Sequence, residues 1–251
     1  MKCIFVLGTA GSGKSLLTSK LSEYYTSNSA FAAILNLDPG VESLPYTPDV
    51  DVRDRIDIVS IMRQYDLGPN GALVMANDMI ASQLSQIQIE VDAVNPDYLI
   101  VDTPGQIELF AYRSSGPFLT SELNADSKTG LFLFDGAMAG DAVNFISLNM
   151  LSISIRLRLQ LPFVTILSKS DLPDMPTNNI IQWAMNVTSA LDAASNVDGE
   201  TYSLISTISS SLKQEDYAQK LIPVSSSTGD GLADLESVLS RILLMGEEVE
   251  D

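Results

Sequence analysis

The segment Cys3-Ile4-Phe5-Val6-Leu7-Gly8-Thr9-Ala10-Gly11-Ser12-Gly13-Lys14-Ser15 decides the fold. Residues 3–7 are apolar, end in glycine and read as a core strand. Gly8 to Ser15 is G-x-x-x-x-G-K-S, and residues 13–27 read as a helix. A strand passing through a glycine-rich turn into a helix is the context that this motif requires. Glycines let backbone N–H groups turn inward around a phosphate, and the helix N-terminus adds positive potential. Gly11, Ser12 and Gly13 would form the cradle, with Leu16 beside them. Lys14 would reach the outer phosphates, and Ser15 would offer a hydroxyl to Mg²⁺.

Outward from this segment, the same alternation repeats. Apolar runs at 32–37, 98–101, 131–134, 163–167 and 221–224 read as strands. Helical spacing covers 53–65, 141–161, 177–194, 200–219 and 231–245, and apolar steps of three or four from 73 to 91 predict one long helix. Buried strands alternating with helices imply a three-layer α/β domain, its mostly parallel sheet covered by helices on both faces. Residues 1–251 read as a single P-loop NTPase domain. The stretch at about 174–219, the least motif-like, reads as a helical insertion. In such sheets ligands bind beyond the carboxyl ends of the strands, where the motifs fall.

Composition narrows the chemistry. There is no histidine, which excludes His-based catalysis and His–metal sites. The single cysteine, Cys3, allows no internal disulfide, reads as buried filler and fits a reducing, cytoplasmic setting. No run approaches the roughly 20 apolar residues of a membrane span. With 14 Lys+Arg against 32 Asp+Glu the net charge is −18, a field that repels nucleic acid and anionic lipid. Any bound phosphate must therefore be held by local chemistry. The terminal Glu247-Glu248-Val249-Glu250-Asp251 reads as a solvated acidic tail.

Four further strand ends carry chemistry. Tyr98-Leu99-Ile100-Val101-Asp102-Thr103-Pro104-Gly105-Gln106 places Asp102 at the Walker-B position that supports Mg²⁺, and D-x-x-G puts the Gly105 N–H where it can meet a γ-phosphate. Gln106 lies four residues past Asp102, the spacing of a water-orienting glutamine; alone, the segment could be a turn capped by Asp102. Asp38, in Asn36-Leu37-Asp38-Pro39-Gly40, is either a second carboxylate near Mg²⁺ or part of a turn. Ser168-Lys169-Ser170-Asp171 has the form of a guanine-reading N-K-x-D with serine for asparagine. The Asp171 carboxylate could accept both N–H groups of a guanine edge and would repel the adenine lone pair. Lys169 could lay its methylenes along the base. Serine lacks the bridging amide of asparagine. Ser225-Ser226-Ser227-Thr228-Gly229-Asp230-Gly231 has the form of a backbone loop that approaches the base.

Between the helical segments stands Leu67-Gly68-Pro69-Asn70-Gly71-Ala72-Leu73. Read from the residues alone, Asn70 caps a helix beginning at Gly71 or presents its amide to a ligand. Taken together, these motifs resemble the GPN-loop GTPases, a SIMIBI-class P-loop family, in order and over nearly the whole chain. The Gly68-Pro69-Asn70 tripeptide is the most specific of them. The resemblance implies a homodimer that hydrolyses GTP to GDP with Mg²⁺, in which Asn70 reaches the neighbouring subunit's γ-phosphate. It lends Asp38, Asp102, Gln106 and Glu108 roles in arranging Mg²⁺ and the attacking water. Read bottom-up, Glu108 is an exposed carboxylate at a helix start. The resemblance also implies a protein client, since eukaryotic relatives are linked to RNA polymerase assembly and import. Arg113, an arginine-finger candidate by position, reads better as a surface ion pair.

Three alternatives compete with this reading. A P-loop ATPase of the partitioning or metal-insertion type would carry an extra lysine near Thr9 and Ala10. A kinase would need an acceptor pocket and a basic lid, against the −18 charge. An assembly factor with structural nucleotide and little turnover is the non-enzymatic reading.

Overall fold

In the computed structural model, residues 1–194, 198–212 and 220–245 are described. The chain runs β1 (Lys2–Gly8), α1 (Lys14–Ser27), β2 (Ala32–Asn36), β3 (Val50–Asp51), α2 (Ile58–Tyr65), α3 (Pro69–Ser82), α4 (Leu84–Val94), β4 (Tyr98–Asp102), α5 (Ile107–Ala111) and α6 (Ser115–Glu122). It continues through β5 (Ser127–Asp135), α7 (Gly136–Ala139), α8 (Ala142–Leu159), β6 (Phe163–Ser168), α9 (Thr177–Met185), α10 (Val187–Ala193), α11 (Gly199–Leu212), β7 (Leu221–Pro223) and α12 (Leu232–Met245). The strands form one sheet in the order β3-β2-β4-β1-β5-β6-β7, and every described pairing is parallel.

Alternation along β1 makes the three layers. Cys3, Phe5 and Leu7 face one core, with residues of α3, α4, α6 and α8. Ile4 and Val6 face the other, with Leu17 and Leu21 of α1 and Leu235, Leu239 and Leu243 of α12. A strand buried on both faces must be apolar throughout, which is why its sequence shows no polar alternation. Cys3 is indeed filler: burial pushes its thiol up to about 12, so it stays protonated and inert. Among the described residues no helix is long and apolar enough to cross a membrane.

The sheet order positions the site. β1 lies beside β4, and Val6 is in register with Asp102. The strand leading into the phosphate loop and the strand ending in the aspartate therefore finish side by side. On the other flank, Asp135 of β5 pairs in register with Ser168 of β6.

Several expected elements differ. Residues 53–65 are not one helix. Asp51 accepts from the Arg53 N–H and guanidinium, holding a tight turn at Val52–Asp54, and Asp57 starts α2 afresh as its N-cap. The long helix from 73 to 91 breaks at Gln83. There Ser82 Oγ donates to the Met79 carbonyl at 2.7 Å and competes with the helical ladder. A second break falls at Asn186, whose extended backbone and side-chain bond to Thr188 N begin α10. Most consequentially, α3 starts at Pro69, with Gly68 as N-cap and Pro69 in the first helical position. Proline suits that place because its missing N–H would have no partner there. Asn70 is therefore not a cap, and its Oδ1 instead accepts from Gln106 Nε2 at 3.4 Å. The proposed insertion contains α9, α10 and α11 within its described part; residues 195–197 and 213–219, like the acidic tail at 246–251, lie outside the described residues.

Candidate functional site

The phosphate loop closes around its own lysine. Gly13 has φ +95°, which glycine adopts without strain, and leads into α1 with no side chain on the first-turn amides. Those N–H groups are left for an anion, and α1 carries no acidic residue in its first turn. Lys14 Nζ donates to the carbonyls of Gly8 and Thr9, both at 3.0 Å. Burial pushes its amine down from the usual range, while Asp102, then Asp38 and Glu108, act to raise it. The hydroxyls of Thr9 and Ser12 are buried without protein partners. A polar loop this poorly satisfied from within is built for a ligand.

Beside it, Asp102 is 1% exposed at the end of β4. Its Oδ2 accepts from the Tyr46 hydroxyl at 2.6 Å. Its Oδ1 is buried with no hydrogen-bond partner. Desolvation raises the carboxyl's pKa, opposed by the hydroxyls of Tyr46 and Ser15 and the charge of Lys14. Asp102 thus caps no backbone N–H, and its orphaned oxygen could serve a cation. Among the described residues no cluster of three acidic or thiol side chains forms a closed cation cage. In phosphate-loop enzymes Mg²⁺ is held by one or two carboxylates, a hydroxyl, water and the substrate phosphates. An orphaned buried carboxylate oxygen near Ser15, with Asp38 contributing to its field, is a donor set suited to that ion.

Asp38 is fixed by a network that the sequence did not announce. Asn36 Oδ1 accepts from Asp38 N at 3.0 Å, and Asn36 Nδ2 donates to Asp51 Oδ1 at 2.9 Å. Asp51 pairs with Arg53 at 2.7 Å, and Arg53 reaches the Val41 carbonyl. Asp38 Oδ1 accepts from Gly40 N at 2.9 Å and Oδ2 from Gly105 N at 3.0 Å. The Gly105 amide, expected to face a γ-phosphate, here donates to Asp38 instead. Asp38 thus forms the turn through Oδ1 and reaches the segment after β4 through Oδ2.

Gln106 and Glu108 are exposed at the start of α5, and Gln106 Nε2 approaches Asn70 Oδ1 at 3.4 Å in the same chain. Asn70, Leu73 and Asn77 follow at helical spacing along α3, and the last two line a cleft of about 170 Å³ with Asp38, Gly105 and Gln106. Asn77 is buried and its Nδ2 has no partner. Arg113 lies exposed, 3.8 Å from Asp78, as a surface ion pair.

On the other side of the loop, Ser12, Gly13, Leu16, Ser168, Lys169, Asp171 and Ser226 line a second cleft of about 250 Å³. Ser168 corrects an expectation. Its hydroxyl donates to the Ser12 carbonyl at 2.8 Å and lies 3.2 Å from that of Phe134. The serine therefore ties β6 to the phosphate loop without an amide. Lys169 has φ +58° and pairs with Asp135 at 2.9 Å, which stretches its methylenes beside the cleft. Asp171 is exposed and free to accept. Ser225 Oγ accepts from Thr228 N at 3.1 Å and shapes the loop after β7.

Comparison with known proteins is consistent with this geometry. A family described as "Conserved hypothetical ATP binding protein" matches residues 6–244. GPN-loop GTPase 1 of Schizosaccharomyces pombe is 30% identical over 256 residues, covering 98% of this chain and 70% of the relative. The chain belongs to the GPN-loop GTPase family. GPN-loop GTPase 1 of Dictyostelium discoideum is 34% identical over 250 residues, and this chain spans 61% of its length. The crystal structure of a GTPase in apo form from Pyrococcus abyssi superposes with a TM-score of 0.83 at 26% identity, covering 96% of this chain and 97% of that one. For a GPN-loop GTPase, the residues that sequence reasoning missed are Tyr46, Asn77 and Asp135. Only Asp135 had a signal, since it ends an apolar strand as Asp102 does.

Proposed function

We propose that this domain binds GTP with Mg²⁺ and hydrolyses it to GDP and phosphate, acting as a nucleotide-dependent switch in a homodimer. The observation that carries the reading is the convergence of Lys14, Asp102, Asp38 and Gly105 at the ends of β1, β2 and β4. Ser15, Asp102 and Asp38 would hold Mg²⁺, which supplies charge neutralisation at the phosphoryl oxygens. Lys14 and the amides of residues 11–16 bind and orient the phosphates. Gln106, with Glu108 beside it, positions water at the α5 start.

Guanine is favoured over adenine by Asp171, whose carboxylate accepts from a guanine edge and repels the adenine ring nitrogen. Equilibrium binding of GTP, GDP and ATP, with oligomeric mass read in each state, tests the reading. GTP should bind roughly 10–100-fold more tightly than ATP, the worth of one bidentate base contact. Equal affinities would defeat it.

Asn70 is exposed at the N-terminal end of α3, where a second subunit can reach it. In that arrangement its amide completes the partner's site. Asn70→Ala should lower kcat on the order of 10–100-fold, the scale of a misplaced reacting group, and leave GDP affinity within about twofold. Mixing Asn70→Ala with Lys14→Ala subunits should restore part of the activity. Mixed dimers with none would confine Asn70 to its own chain.

A further inference from the structure

Tyr46 belongs to no motif and lies in the irregular segment between β2 and β3. Its ring is partly buried and its hydroxyl donates to Asp102 Oδ2 at 2.6 Å. That segment is tied to the phosphate-loop helix, because Ser19 Oγ donates to the Pro45 carbonyl at 3.3 Å. Asp102 has no exposed surface to rotate into, and its two oxygens differ in their partners. Oδ2 holds Tyr46, whereas Oδ1 is buried without a hydrogen-bond partner, and the Ser15 hydroxyl, the other expected cation ligand, acts on the same carboxyl.

The two oxygens of a carboxylate are chemically identical, so something must break their symmetry if one is to serve a cation. Mg²⁺ demands near-ideal octahedral geometry, which a freely turning carboxylate satisfies poorly. Outer partners that orient a ligand are worth 10–100-fold in metal affinity. An O–H donating to a carboxylate at this distance is a strong, charge-assisted contact.

We propose that Tyr46 is a positioning residue, whose hydroxyl locks the Asp102 carboxylate so that Oδ1 alone remains to support the divalent cation bound with the nucleotide. Tyr46 thereby couples the conformation of the 41–49 segment to cation affinity. A segment that swings away takes the lock with it. The inference rests on the GTP–Mg²⁺ reading above.

The test is release of a fluorescent GDP analogue from the full chain as Mg²⁺ is titrated, in the wild type and in Tyr46→Phe. Phenylalanine keeps the ring and removes the donor. The half-maximal Mg²⁺ concentration for slowing release should rise about tenfold. Affinity for the analogue in EDTA should match the wild type, which a role in the nucleotide pocket at large would not produce, while the melting temperature falls by about a few degrees because Asp102 Oδ2 is left buried without its donor. An unchanged Mg²⁺ requirement overturns the proposal. So does weakening of equal size in EDTA, because the hydroxyl then serves the nucleotide pocket at large. A wild-type protein whose release ignores Mg²⁺ would fail at the earlier step and sink the GTP–Mg²⁺ reading itself.

Discussion

Lys14→Ala is expected to lower GTP turnover by about 10²–10³-fold, the loss that follows removal of one preorganised donor to transition-state charge. The structure shows why no neighbour can compensate. Lys14 is 6% exposed and its ammonium bridges two loop carbonyls. It is also the cation that Asp102, Asp38 and Glu108 share. Truncation leaves the two carbonyls without a donor and removes the cation whose charge offsets the three carboxylates. Lys14→Arg should not rescue, because a planar guanidinium cannot fold back between adjacent carbonyls as a compact ammonium does. Phosphate release under saturating GTP measures the effect, with thermal melting to confirm the fold. Turnover within about threefold of the wild type would remove Lys14 from the chemistry.

Gly231→Ala should produce the largest loss of stability, about 3–4 kcal/mol, through clash at a strained backbone position. Gly231 has φ +80°, and a Cβ there would stand 2.1 Å from the Pro223 carbonyl oxygen. That oxygen belongs to β7, so it cannot rotate aside as a side chain would. Relief requires α12 to move off the strand, opening the core at Leu235 and Leu239. For a chain of this size the melting temperature should fall by roughly 8–15 °C. Gly229→Ala is the control. Its φ is +86°, yet a Cβ there meets only Leu232 Cδ1 at 3.9 Å. Only the left-handed backbone penalty of about 1–2 kcal/mol applies. Equal melting points for the two variants would show that the clash is relieved locally.

The same division between backbone rule and tertiary contact separates what was legible in the sequence from what was not. The phosphate loop, Asp102 and the strand-helix alternation could be read because their chemistry is local. A glycine must sit at φ +95°, and a strand buried on both faces must be apolar. Helix ends were harder to place. The breaks at Gln83 and Asn186 depend on side chains that bond the backbone within one turn, a competition that apolar spacing does not register. The start of α3 turned on whether Pro69, capped by Gly68, or Gly71, capped by Asn70, took the first helical position. Tyr46 could not be found at all. Its partner is 56 positions away, and only the β2–β4 adjacency brings them together. Serine at 168 looked like a lost amide. Its hydroxyl makes the inter-strand tie because β6 ends close enough to the phosphate loop for a short side chain to span.

The parallel sheet has a consequence for the order in which the molecule is made. β1 is translated before its neighbours on either side, residues 98–102 and 127–135. At about 5–20 residues per second, the ribosome takes several seconds or more to supply both. Until then the nascent strand, with no pairing on either edge, is an apolar ribbon in need of shelter. The nucleotide cradle therefore begins on a strand that is synthesised well before the two strands that flank it.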